Sequence, residues 1–256
     1  MARVFITGSV EGLGLLTARR LVEEGHTVTL HARNAAREND AKEALPGAAA
    51  VVVGDLSTLA EMRAVAEQVN GLGHHDAVIH NAAVGYREPR RIETADGLCQ
   101  VFAVNVLAPY VLTALIERPK RLIYLSSGLH KSGSVALEDA QWTRRPWNGT
   151  QAYSDSKLFD AMLALAVARR WPTVRSNSVE PGWVPTRMGG AGAPDDLAQG
   201  AETQAFLAVG HTPGARVSGE HLYHLKKRSL HHDARSAEHQ DTLLAYCETL
   251  SGTPLP

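Results

Sequence analysis

Short β-type runs alternate with helical patterns along most of this chain, and that alternation limits the possible folds more than any other feature. The pattern predicts strands at Val4 to Thr7, Thr27 to His31, Ala50 to Val53, Ala77 to His80, Leu122 to Leu125 and Thr173 to Val179. Helices are predicted at Leu13 to Glu24, Ala35 to Ala44, Leu59 to Val69, Asp96 to Ile116 and Ala152 to Arg170. Such alternation requires a mainly parallel sheet covered on both faces, because each crossover lays a helix against it. With 256 residues, 44% of them hydrophobic, the chain can bury one sizeable core. No repeat or Pro/Gly-rich linker divides it, so residues 1–256 are expected to form a single domain. Two long segments break the alternation, 128–151 and 182–199. Each follows a predicted strand, where the loops of an open α/β sheet line the ligand crevice, so both are expected to wall a substrate site.

The first strand-to-helix junction reads Thr7-Gly8-Ser9-Val10-Glu11-Gly12-Leu13-Gly14. Glycines allow backbone N–H groups to approach a pyrophosphate, and a helix starting near Gly12 or Leu13 offers unsatisfied donors and the positive end of its dipole. The expected fold is therefore a doubly wound, Rossmann-type sheet binding a dinucleotide at this turn. After the second strand the chain reads His31-Ala32-Arg33-Asn34, with no carboxylate to bond the adenosine ribose hydroxyls. Arg33 suits a ribose 2′-phosphate instead, which favours NADP(H) while leaving NAD(H) possible. Asp55-Leu56, after the third strand, is placed to flank the adenine, and Asp55 reads equally as a helix N-cap.

Further along, Tyr153 and Lys157 stand four residues apart, which puts a phenol and an ammonium on one helix face. Together with Asn81-Ala82-Ala83, Asn105, Ser126-Ser127 and Pro181-Gly182, in that chain order, this set resembles the short-chain dehydrogenase/reductase family over most of the sequence. The wide spacing from Ser127 to Tyr153, with Ser218 to Tyr223 and Leu243 to Gly252, resembles its retinol dehydrogenase-like branch. His80 and Ala83 depart from the family's Asn-Asn-Ala-Gly segment. The resemblance implies Tyr153 as general acid/base, Ser127 holding the substrate oxygen, and Lys157 bonding the nicotinamide ribose. Asn105 would position a water linking Lys157 to solvent. Asn81 and Ala82 would lie against the cofactor, Pro181-Gly182 would turn beneath the nicotinamide, and Thr186 would bond its carboxamide, though Thr186 also reads as an N-cap. Strand alternation sends only one of Ser126 and Ser127 toward the crevice, and the resemblance selects Ser127. A phenol's reference pKa of about 10 must fall by about 3 units, roughly 4 kcal/mol, for Tyr153 to serve as a base at neutral pH. Lys157 and a positive nicotinamide ring are the expected sources.

The expected function is interconversion of a carbonyl and an alcohol on an apolar small-molecule substrate. A redox-sensing binding protein and a sugar epimerase or dehydratase are the rivals. Sensors tend to lose Tyr or Lys, and epimerases usually carry a larger C-terminal substrate domain. A homodimer or homotetramer is implied by the resemblance, through the helices carrying Asn105 and Tyr153. A net charge of −1 with no long basic block argues against nucleic acid, and Lys226-Lys227-Arg228 reads as a solvated loop or turn. Nothing suggests a membrane span or a signal peptide, and Cys99 and Cys247 fit no disulfide or metal spacing, which together point to a cytoplasmic protein. No metal is expected, because His221, His224, His231, His232 and Asp233 form no recognised ligand set. Trp142, Trp147 and Trp183 are candidate pocket aromatics, Trp183 foremost.

Overall fold

The computed structural model describes residues 1–256. An eight-stranded sheet runs through the centre: β1 (Arg3–Ile6), β2 (Thr27–Ala32), β3 (Ala50–Val53), β4 (Ala77–His80), β5 (Arg121–Leu125), β6 (Arg175–Glu180), β7 (His221–Tyr223) and β8 (Lys226–Lys227). Its spatial order is β3-β2-β1-β4-β5-β6-β7-β8, parallel up to β7, with β8 returning antiparallel. Val4, Phe5 and Ile6 of β1 and all of β4 and β5 are buried, as strands covered on both faces must be. Helices α1 (Gly12–Glu23), α2 (Ala35–Ala44) and α7 (Leu197–Val209) close one face through Ala18, Leu21, Ala41 and Ala205. The other face carries α3 (Leu59–Gly71), α4 (Gln100–Phe102), α5 (Ala108–Leu115), α6 (Gly149–Arg170) and α8 (Ala237–Ser251). Strand order reverses between β1 and β4, and the crevice that such a reversal creates lies at their C-terminal ends.

Three segments differ from the sequence reading. The helix expected from Asp96 begins only at Gln100, and between α4 and α5 it widens into a π-helical turn, Ala103–Leu107. Such turns cluster at functional sites, and Asn105 lies at its centre. The Lys226-Lys227-Arg228 triplet is not a simple loop, since its two lysines form β8, whose exposed charges discourage further strand pairing at the sheet edge. β7 and α7 had no clear sequence signal, being short or interrupted by polar residues. Arg121, on β5, caps the end of α7 by donating to the carbonyls of Leu207 and Gly210, both at 2.7 Å.

Helix α6 is buried from Ala152 to Val167, charged residues included. A helix enclosed on every side must satisfy its polar groups internally. Asp155 receives Arg145 at 3.0 Å, and Lys157 donates to Asp160 at 2.8 Å. Much of this enclosure comes from α8, which packs against both α6 and α5. The face through which a homodimer or homotetramer was expected to assemble is therefore occupied by the chain's own C-terminal helix. No helix is long and apolar enough to cross a membrane.

Candidate active site

A cleft of about 760 Å³ opens at the C-terminal ends of β1, β4, β5 and β6. At one end the glycine loop is held in a conformation that side chains would obstruct. Gly8 has φ of +60°, and a Cβ there would lie 2.8 Å from Ala82 Cα. At Gly14 a Cβ would come within 2.6 Å of both Asn81 Nδ2 and the Gly8 carbonyl oxygen. Asn81 fastens the loop by donating from Nδ2 to the carbonyls of Thr7 and Gly8, each at 2.9 Å. Thr7 is itself buried and accepts from the backbone N–H groups of Asn81 and Ala82. Thr7 and Gly14, expected to touch a cofactor, thus shape the loop from behind, while Gly8, Gly12 and Leu13 line the cleft together with Asn81 and Ala82.

His31 completes this brace. Its Nδ1 accepts from Gly8 N–H at 3.0 Å and its Nε2 lies 2.8 Å from the Gly54 carbonyl oxygen, joining β1, β2 and β3 through one ring. Burial pushes its pKa down to about 4, so the ring is neutral near pH 7 and can accept from Gly8. At the N-terminus of α1, Glu11 provides no side-chain cap, whereas Asn34, Thr58, Asn148, Asp196 and Ser236 cap α2, α3, α6, α7 and α8. The first N–H groups of α1 are therefore left without a side-chain acceptor.

Arg33 lies exposed on the cleft wall and forms no ion pair, while Arg37 is committed to Glu11 at 2.8 Å and Asp40 at 2.7 Å. Asp55 and Leu56 also line the cleft. Asp55 does not cap α3, since Thr58 does; its carboxylate accepts from Ser57 N–H in a tight turn. Thr186 caps no helix either, its hydroxyl accepting from Gly189 N–H at 3.1 Å in a turn beside Gly12.

At the other end stand Ser127, Tyr153 and Lys157. Ser126 is turned into the core, where it donates to the Lys157 carbonyl at 2.7 Å, and Ser127 faces the cleft. The Lys157 ammonium sits 5.6 Å from the centre of the Tyr153 ring. Burial raises the Tyr153 pKa, and the opposing pull of Lys157 and of a hydrogen bond with Ser127 does not reverse it. The expected lowering is thus absent from the protein by itself, because desolvation of the phenolate outweighs one ammonium. Burial also disfavours the Lys157 charge, yet Asp160 and then Tyr153 more than compensate, and its pKa stands above the ordinary lysine value. Asp160, almost wholly buried, has its own pKa raised by desolvation. Sequence reading missed this carboxylate, although its position three residues after Lys157 puts it on the same helix face.

Asn105 is fully buried. It accepts from Val84 N–H at 2.8 Å and donates to Val84 O and Ser156 Oγ. Lys157 donates to Leu125 O and Asp160, so no protein group joins Asn105 to Lys157. His80, a departure from the family pattern, bonds Thr113 at 3.0 Å, and Thr113 bonds Tyr124 at 2.7 Å, tying α5 across β4 and β5.

The cleft walls also differ from expectation. Of segment 128–151 only Gly128 and Leu129 reach the cleft, whereas Val84, Tyr86 and Arg87, after β4, form an unpredicted wall. Trp142 and Trp147 lie edge to face at 5.4 Å, with the Arg145 guanidinium 3.5 Å over Trp142, and hold their loop down away from the cleft. Segment 182–199 does contribute, through Gly182 to Val184, Thr186 to Gly189 and again at Asp195. Trp183, 51% exposed, stands at the rim. Of the C-terminal group, His231, His232 and Asp233 come together near the surface, while His221 joins His130 and Glu180 in a buried cluster that no sequence spacing announced.

A doubly wound sheet with a dinucleotide-type turn at one end of its crevice and a Ser-Tyr-Lys set at the other defines an oxidoreductase of the nucleotide-binding class. The chain belongs to the short-chain dehydrogenase family, whose model, "short chain dehydrogenase", matches residues 2–196. It is 45% identical over its whole length to an uncharacterized oxidoreductase of Emericella nidulans, 99% of which is covered. Mouse retinol dehydrogenase 14 is 30% identical over 73% of this chain and 62% of its own length, in line with the retinol dehydrogenase-like resemblance. Among solved structures, an uncharacterized protein from Mycobacterium paratuberculosis superposes with a TM-score of 0.86 at 27% identity, covering 100% of this chain and 95% of the other.

Proposed function

We propose that this protein is an NADP(H)-dependent oxidoreductase that interconverts a carbonyl and an alcohol, with Tyr153 as general acid/base. The observation that carries this reading is the convergence of Ser127, Tyr153 and Lys157 on the same cleft that holds the glycine loop and Arg33. The cradle fits a dinucleotide. Gly8, Gly12, Leu13 and the open N-terminus of α1 would hold the pyrophosphate, Arg33 a 2′-phosphate, and Asp55, Leu56, Asn81 and Ala82 the adenosine side. Pro181, Gly182 and Thr186 would line the nicotinamide side, and the bound cofactor would supply or accept hydride.

The chain's own groups manage the oxygen and its proton. Ser127 donates to the substrate oxygen and stabilises the charge that develops there. Burial keeps the Tyr153 phenol protonated, the state needed at the start of a carbonyl reduction. The Lys157 ammonium eases release of that proton by favouring the phenolate, and Asp160 holds Lys157 in place and charged. Val84, Val104, Leu129 and Trp183 give the substrate end an apolar lining, which suits a hydrophobic carbonyl compound. Cys99 and Cys247 are free and buried, in keeping with a cytoplasmic location.

Titration of the protein with NADPH and NADH, followed by nicotinamide fluorescence, tests the cofactor end. NADPH should bind more tightly, and Arg33→Ala should abolish that preference. Equal or reversed affinities in the native chain would refute the assignment of Arg33. Tyr153→Phe should reduce turnover of a carbonyl substrate about 10²-fold or more while NADPH still binds. Normal turnover in that variant would remove Tyr153 from the chemistry, and failure to bind either cofactor would favour a degenerate fold.

A further inference from the structure

Behind the Ser127 turn, three side chains from separate elements meet. His130 lies in the 3₁₀ turn Gly128–Ser132 that follows β5, Glu180 ends β6, and His221 begins β7. Both histidines are fully buried and Glu180 is 7% exposed. Their ligand-type atoms all lie within 4.8 Å of one another. Parallel pairing of β6 with β7 sets Ser178 opposite His221, and Glu180, two residues on, shares the face of Ser178.

The hydrogen bonding leaves this cluster incomplete. His130 Nδ1 is 2.5 Å from the Ser127 carbonyl oxygen, so Nδ1 carries the proton there and Nε2 presents a lone pair. His221 Nδ1 is 2.9 Å from Ser178 Oγ. Glu180 Oε1 receives Arg228 at 3.0 Å. That accounts for one side of each group. His130 Nε2, His221 Nε2 and Glu180 Oε2 are all buried and have no hydrogen-bond partner. A proton on His221 Nε2 would face Glu180 Oε2 at 3.5 Å, long for a hydrogen bond, and would still leave the His130 lone pair without a donor.

We propose that His130, Glu180 and His221 form a binding site for a divalent first-row transition ion, with Zn²⁺ the best match to two imidazoles and a carboxylate. Tetrahedral bonds of about 2.0–2.2 Å put neighbouring ligand atoms about 3.3 Å apart, close to the 3.5 Å between His221 and Glu180. The Nδ1 contacts orient both rings as the outer partners of metal-bound histidines do. Glu180 and Gly128 also line the main cleft, which gives an ion a route in. Because His130 is bonded to the carbonyl of Ser127, the ion would clamp the Ser127 turn to the β6–β7 end of the sheet. This site stands independently of the cofactor and catalytic reading.

Incubation of the full chain with Zn²⁺, dialysis into metal-free buffer and elemental analysis should recover about one equivalent. A chelator competition should show affinity falling at least tenfold in His130→Ala, His221→Ala and Glu180→Gln, each checked for folding by circular dichroism. The half-buried trio His231, His232 and Asp233 is the competing cluster, and the double variant His231→Ala/His232→Ala should bind as the native chain does. Should the alanine variants fail to fold, Co²⁺ added to the native chain should give the visible absorption bands of a four- or five-coordinate histidine site. Absence of those bands, no retained Zn²⁺, retention unchanged by the three substitutions, or retention lost in the His231→Ala/His232→Ala variant would each overturn the proposal.

Discussion

The two ends of the cleft are built in opposite ways. At the nucleotide end, one contiguous stretch from Thr7 to Gly14 makes the turn, and neighbours such as Asn81 and His31 fasten it through neutral hydrogen bonds. At the catalytic end, charged groups are drawn into the interior. Lys157 and Asp160 are nearly inaccessible, and Tyr153 is only slightly less so. A local turn depends on which backbone conformations glycine allows, whereas a buried ion pair depends on every element that excludes water from it.

The contrast is sharpest at Asp160. Removing one partner of a buried pair leaves the other charge uncompensated, so Asp160→Ala should cost about 3–5 kcal/mol of stability. Urea unfolding of the native and variant chains measures this directly. Asp160→Asn, which can still accept from Lys157, should recover part of the loss. An alanine variant as stable as the native chain would show that the catalytic end does not rely on this pair.

Acid should strain the nucleotide end next. The His31 pKa in the fold, about 4, lies below its ordinary value of about 6.5. Its contribution is therefore complete above about pH 6.5 and is lost as pH falls toward 4, by at most about 3 kcal/mol. His80, lowered to about 3 by burial, acts in the same direction and continues the loss to lower pH. Urea midpoints at pH 7 and 4.5 should differ accordingly, and His31→Asn should flatten part of that slope. Equal midpoints would contradict the neutral-ring brace at Gly8.

Gly14→Ala is expected to be smaller in stability, about 1–3 kcal/mol from overpacking against Asn81 and the Gly8 carbonyl. It should nevertheless weaken NADPH binding markedly, since the loop must shift to admit the methyl group. Loss of stability with undiminished binding would mean that the loop and the cofactor end are uncoupled. Light scattering supplies the last test, one of assembly rather than energy. With α8 covering α5 and α6, the chain should run at its own mass of 27.5 kDa. A dimer whose contacts run through α6 would require α8 to leave its place.

Much of this molecule was legible before any coordinate was known. The strand and helix alternation, the glycine turn and the Tyr153-to-Lys157 spacing are patterns within a few residues of one another, and local backbone and side-chain geometry enforces them wherever they occur. Loop walls were less legible. Segment 128–151 looked like a pocket wall from its length and its place after a predicted strand, but Trp142, Trp147 and Arg145 pin it elsewhere, and the short run after β4 takes its place.

By itself, then, the sequence determined the layered, doubly wound α/β architecture, the glycine turn and many, but not all, of the residues lining the cleft. Only the tertiary structure decided which polar groups lost their water. Asp160 against Lys157, His31 beneath Gly8, and the meeting of His130, Glu180 and His221 all follow from burial. So does the closure of the α5–α6 face by α8. Burial is a property of the whole packed chain, because the elements that exclude solvent from a residue come from positions far away in sequence. No local spacing encodes it.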